Sequence, residues 1–429
     1  MAIHSVRRLS DNGFEYAESQ STQRLVSVRM TSLDGLRNDY LRHLRGRGLE
    51  EPSDRPAPAM IASELEEAAR SHPNEALKNA LTEHLRAAEA VQRLSGMPLS
   101  DTKTPLPVGT GSDDLARYVE TVLIGLRDQD ADALRAMPIY FGLLPSGWFN
   151  AMVMPSPHGR LCLLDTGLAK LLFGFSKAVC NLIERNPEGI LEAPLAEVGC
   201  FDDRVTVAYS SAAATALDYL EQARSGKHTV QYKPVFALNQ GYEPWQLIVA
   251  NALAFAMKSF VMAHEIGHAI LGHVGNIVES PSEGTTERPV VESPHEQEFG
   301  ADKFAFESLL RAEDILQPKF PVAVGGICFL TCYLFLLRMR TRLTGQPCSP
   351  DEPSELHPAP LERIRRLVSF AVAEQESIHP AFLAMTALFR KLLEADDMMD
   401  ISFNTDGSMA VDRKKTTSPG DETLTPPKR

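Results

Sequence analysis

Two histidines four residues apart, His264 and His268 in the segment HEIGHAILGH, are the residues of this chain best placed to do chemistry. On a helix, positions i and i+4 share one face with Cβ atoms about 5–6 Å apart, a span across which two imidazoles can hold one tetrahedral ion. Glu265 follows directly. It is turned about 100° around the helix axis, so it can reach a water on the metal without becoming a ligand. Zinc suits this pattern because it lowers the pKa of its water and polarises a carbonyl, while the carboxylate takes the proton and passes it to a leaving amine. The spacing therefore predicts zinc-dependent hydrolysis of peptide bonds with Glu265 as general base and one zinc ion per chain.

A catalytic zinc site takes a third protein ligand and keeps a fourth position for water. His273 lies nine residues after His264, about 180° around a continuing helix, so it cannot join the same ion. The HExxHxxGxxH arrangement would need a histidine where Val274 stands. The better candidate is Glu298, which starts a Glu-x-x-Ala-Asp run in HEQEFGADKFAFESLL. Glu296 and His295 stand as alternatives, as does an acidic helix start with no ligand role, since the helix dipole favours carboxylates there. Glu298 is preferred because Ala301 and Phe304 follow it with the periodicity of a buried face.

Positioning these side chains takes at least two helices. A helical pattern runs from Pro244 to about His273, apolar on both sides of the motif, with Gly267 small enough to admit another backbone. A second resumes at Glu296 to Leu310. Between them Gly275 to His295, with three prolines and several acidic residues, reads as a mobile loop. Further helical spacing covers Ala62–Arg70, Asn74–Leu94, Asp113–Arg135, Gly167–Glu184 and Leu361 to about Phe389, and the short apolar runs Trp148–Met154 and Arg160–Leu164 signal a hairpin. The expected fold is mainly α with a small β-sheet (α+β), a zincin-like metallopeptidase core carrying an N-terminal helical region. Its expected divisions are 1–105 for that region with a linker over Gly96–Ser112, 106–395 for the peptidase domain, and 396–429 for a disordered polar tail.

Composition narrows the partners. A formal net charge of -13 disfavours nucleic acid and anionic lipid. The six cysteines show no regular framework and read as reduced core thiols. Two arginines near the N-terminus have no apolar segment behind them, so no secretory signal is expected and the location is read as cytoplasmic. Phe320 to Leu337 carries no charge and approaches the roughly 20 apolar residues a bilayer span needs. A core helix is the favoured reading of that run, and a membrane anchor the alternative.

With these motifs in hand, the chain resembles the HtpX-like and CaaX-prenyl-endopeptidase-type gluzincins, whose pattern is HExxH with a distal ExxAD. His264 to His268 and Glu298 to Asp302 match it, and Ser354 to Leu367 (SELHPAPLERIRRL) is similar to the family's C-terminal His-Pro segment. The resemblance implies that His264, His268 and Glu298 bind zinc, that Asp302 and Arg363 pair behind the ligands, and that His357 helps to hold the oxyanion. Asn150-Ala151 and Arg160 to Leu168 resemble the family's strand pair, whose edge would align a peptide substrate. The connection from Leu168 to the metal helix is longer than in that family, and its multiple membrane spans are not evident. A second reading is a catalytically silent zincin-fold sensor or partner-binding protein.

Overall fold

Two apolar segments, IYFGLL and GRLCLLD, set the layering, because every side chain along them must be covered on one face or the other. Their period-2 alternation sorts the residues. Ile139, Phe141, Cys162 and Leu164 join the main helical core, while Tyr140, Leu144, Leu161 and Leu163 form a second cluster on the opposite face.

The structure, a computed structural model, describes residues 6–9, 13–16, 20–49, 108–110, 113–144, 151–183, 203–225, 244–273, 293–316, 322–344, 357–373, 380–403 and 409–413. The elements are β1 (Val6–Leu9), β2 (Gly13–Tyr16), α1 (Gln20–Gly46), β3 (Val108–Thr110), α2 (Asp113–Ile124), α3 (Asp128–Ala136), β4 (Ile139–Leu144), β5 (Ala151–Ser156) and β6 (Gly159–Asp165). They continue with α4 (Thr166–Cys180), α5 (Asp203–Ser225), α6 (Pro244–Ile270), α7 (Pro294–Leu316), α8 (Gly325–Thr344), α9 (Pro360–Ala373), α10 (Pro380–Met398), β7 (Met399–Phe403) and β8 (Met409–Arg413). The fold is mainly helical with a small mixed sheet, the α+β class read from the sequence.

Among the described residues the sheet has six strands in the order β1-β2-β3-β4-β6-β5, so β5 forms one edge there. β3, β4 and β6 run parallel, and β5 pairs antiparallel with β6 through the predicted hairpin, Val153 opposite Cys162. One face packs on the helices. The other is covered by α1, whose Leu36, Tyr40 and Leu44 recur at helical spacing. Tyr40 Oη donates to the Leu143 carbonyl at 2.6 Å. Asp39, also on α1 and buried, lies 2.8 Å from His158 Nδ1 and accepts from Ser156 Oγ, which holds α1 against the turn between β5 and β6.

Several expectations change. The N-terminal region contributes the hairpin β1–β2 and the long α1, and β3 falls inside the predicted linker. The helices expected over 62–70 and 74–94 lie outside the described residues, as does most of the 275–295 loop. The predicted tail carries order: α10 runs to Met398, and β7 and β8 pair as an antiparallel hairpin. α5 occupies a stretch that periodicity left unassigned.

The single helix expected over Asp113–Arg135 is two. α7 crosses at the break, where Arg311 Nε donates to the Gly125 carbonyl at 2.7 Å and satisfies an end group of α2. A Cβ on Gly125 would fall on the Ser308 carbonyl oxygen. Gly125→Ala should therefore destabilise the fold by about 1–3 kcal/mol through overpacking, lowering the thermal midpoint; an unchanged midpoint would show that α7 has room to move away.

The uncharged run read as core or anchor becomes α8, with Ile327, Cys328, Leu330, Cys332, Leu334 and Phe335 buried. Among the described residues no helix is long and apolar enough to cross a membrane. Cys162, Cys180, Cys328 and Cys332 are buried free thiols, as expected, and Cys200 and Cys348 lie outside the described residues.

Candidate metal centre

α6 is apolar over most of its surface because it is largely surrounded, with α4, α2, α7 and α8 packed along it and β5 beside it. Phe260, Val261, Met262, Ala263 and Ile266 are all buried. α7 comes closest at Gly267, where a Cβ would stand 3.3 Å from Ala301 Cα and 3.0 Å from Phe304 Cδ1. The small residue brings the two helices together within the motif itself and sets Glu298 opposite both histidines.

The three candidate ligands converge. His264 Nε2 and His268 Nε2 are 3.0 Å apart, Glu298 Oε2 is 3.5 Å from the first and Glu298 Oε1 is 3.3 Å from the second. One ligand atom from each of the three lies within 4.8 Å of the others. Glu296 points elsewhere: it is exposed and lies 3.5 Å from Arg366 Nη2.

Behind the ligands stands the pair that the resemblance implies. Arg363 Nε and Nη2 donate to Asp302 Oδ2 and Oδ1, each at 2.7 Å, and Arg363 Nη1 is 3.1 Å from Glu298 Oε2. Asp302 Oδ1 also lies 3.0 Å from His264 Nδ1, a close approach that falls short of hydrogen-bond alignment. A carboxylate held on both oxygens by one guanidinium fixes the other residues it faces.

The pocket is electrostatically lopsided. Glu265, Glu298 and Asp302 are buried carboxylates facing the buried guanidinium of Arg363. Burial pulls the imidazole of His264 down, but the Asp302 and Glu298 carboxylates outweigh it and raise it to about 10. Burial holds His268 down at about 4. Burial raises the Glu265 carboxyl to about 7, partly offset by His264, Arg363 and a hydrogen bond from the Val153 backbone. The Asp302 and Glu298 carboxylates thus favour positive charge at His264.

All the sequence-predicted residues meet here. His357, at the head of α9, is half exposed on the rim, its Nδ1 3.3 Å from Glu298 Oε1. Glu265 lies on the β5 side of the ligands and accepts from the Val153 N–H. Two participants escaped the sequence reading: the Val153 backbone, which no side-chain motif marks, and His273, set aside as a ligand on the premise of a continuing helix, whose Nδ1 lies 3.0 Å from His268 Nδ1.

Comparison with known proteins gives one finding. A family model described as Peptidase U49 matches residues 207–384, a segment holding His264, Glu265, His268, Glu298, Asp302, His357 and Arg363. No curated protein and no solved structure matches the chain. The match supports a peptidase family without pointing to the HtpX-like or CaaX-type gluzincins in particular.

Proposed function

We propose that this chain is a zinc-dependent endopeptidase in which His264, His268 and Glu298 hold the ion and Glu265 is the general base. The observation that carries the reading is the convergence of those three donors within 4.8 Å, His264 and Glu298 buried and His268 partly so. The donor set fits: two imidazole nitrogens and one carboxylate leave a tetrahedral ion one open position, the arrangement of catalytic rather than structural zinc. The excess of buried carboxylate over guanidinium favours a dication at the same place.

When bound, zinc would supply Lewis acidity and a water of lowered pKa. The remaining work falls to the chain. Glu265 takes the proton from the attacking water and returns it to the leaving amine. Arg363 holds Glu298 and Asp302 in place, and Asp302 faces the outer nitrogen of His264. His357, on the rim, is the candidate donor to the developing oxyanion.

β5 offers an edge where an extended peptide could add as a further strand, and the Val153 N–H at Glu265 places that edge beside the base. Pro155 has no N–H, so backbone pairing there would stop short of the hairpin turn. A protein or peptide substrate follows from a peptidase, and a cytoplasmic location without nucleic acid as partner completes the reading.

Competition with a chromophoric chelator tests the ligand set. His264→Ala should lower zinc affinity by more than the about 10–100-fold typical of changes behind the ligands. Wild-type affinity in that variant would remove His264 from the site.

A further inference from the structure

We propose that His273 is a positioning residue for the metal, accepting the Nδ1 proton of His268 and thereby fixing the tautomer in which His268 binds through Nε2. The inference rests on the zinc reading above and adds a residue that the ligand motifs do not contain.

Two imidazole nitrogens 3.0 Å apart can share only one proton, so His268 Nδ1 and His273 Nδ1 are one donor and one acceptor. The other nitrogen of His268 decides which. Its Nε2 faces His264 Nε2 at 3.0 Å and Glu298 Oε1 at 3.3 Å, and a nitrogen that ligates a cation must present a lone pair. The proton of neutral His268 then sits on Nδ1 and is donated to His273, whose own proton lies on Nε2.

The local fold has features suited to this contact. α6 ends at Ile270, Gly272 takes φ +74°, and the His273 N–H donates to the His268 carbonyl at 3.0 Å. A left-handed residue just past a helix turns the chain back on the last turn, and glycine adopts it without strain. His273 is thereby removed from the 180° position of a continuing helix and placed beside His268. The ring packs beside Gly300 of α7, where a Cβ would stand in ordinary contact, 3.5 Å from His273 Cε1.

The two histidine ligands are therefore oriented differently. His264 has a carboxylate, Asp302, at its outer nitrogen, and His268 has a neutral imidazole at its own. Partners behind a metal ligand set ring orientation and ligand basicity.

The test is zinc affinity by chelator competition on the full chain, for wild type, His273→Leu and His273→Gln. His273→Leu should bind zinc about 10–100-fold more weakly, and His273→Gln, whose amide oxygen can accept the same proton, should recover part of the loss. In the zinc-loaded protein the His268 Nδ1 proton should give a protected imidazole N–H signal in nitrogen-15 spectra, lost to solvent exchange in His273→Leu. Circular dichroism of the metal-free chains separates these effects from misfolding, and should His273→Leu not fold, His273→Gln and the wild-type imidazole signal decide. Unchanged affinity in a folded His273→Leu, or a His268 proton found on Nε2 in the zinc-loaded wild type, would overturn the proposal. A wild type that binds no zinc would instead overturn the metal reading on which it rests.

Discussion

Glu265→Gln will remove peptidase turnover while leaving zinc in place. The side chain is buried on the β5 side of the ligand trio and belongs to none of the three donor positions. Glutamine keeps its size, so the packing of α6 should survive and the thermal midpoint with it. What is lost is a group that can accept a proton, and general base catalysis contributes about 10²–10⁴-fold; kcat/KM should fall by at least that much. The contact from the Val153 N–H survives through the amide oxygen, so KM should change less than kcat. Assays against a peptide library, with zinc content measured in parallel, check both halves. Full activity in Glu265→Gln would end its role as base. Stoichiometric zinc with no cleavage by the wild type would favour the silent sensor or binding protein instead.

Arg363→Met should be the most destabilising single change in the site. Arg363 is buried and binds Asp302 through two hydrogen bonds while reaching Glu298 with its third nitrogen. Removing it leaves two buried carboxylates facing each other's field, and breaking a buried pair in this way costs about 3–5 kcal/mol. The effect should depend on pH. Burial pushes the Asp302 carboxyl up, but Arg363 outweighs it and holds the group below its usual range. A depressed folded pKa contributes stability above the unfolded value of about 3.9 and loses it as pH falls through the folded value. Urea unfolding of the metal-free proteins should accordingly show a gap between wild type and Arg363→Met that is widest near neutrality and closes in acid. A gap that widens in acid would mean that Asp302 is not the group Arg363 stabilises.

Much of the centre was legible because its parts obey helical geometry. The i, i+4 spacing of His264 and His268, the small residue at Gly267 and the register of Glu298 with Ala301 and Phe304 all follow from 3.6 residues per turn. His273 shows the limit of that argument: it was placed by continuing α6, whereas Gly272 ends the helix and turns the chain back. The signal was present, a glycine just past an apolar helix followed by a polar residue, but where a helix ends depends on what caps it. The break between α2 and α3 has a similar origin, since α7 crosses at Gly125 and no local pattern announces a neighbour so distant in sequence. In α1, by contrast, Leu36, Tyr40 and Leu44 carry a readable stripe, obscured by the surrounding charge. The β7–β8 hairpin lies in a segment whose polar composition resembles a tail, and pairing of its strands overrides that propensity.

X-ray absorption at the zinc edge of the purified full-length chain tests the central claim most directly. The account predicts only nitrogen and oxygen neighbours at about 2.0–2.2 Å, with imidazole scattering from two histidines and no sulfur. Sulfur at about 2.3 Å would place the ion on cysteines and, like a chain that binds no zinc at all, would contradict the assignment of His264, His268 and Glu298.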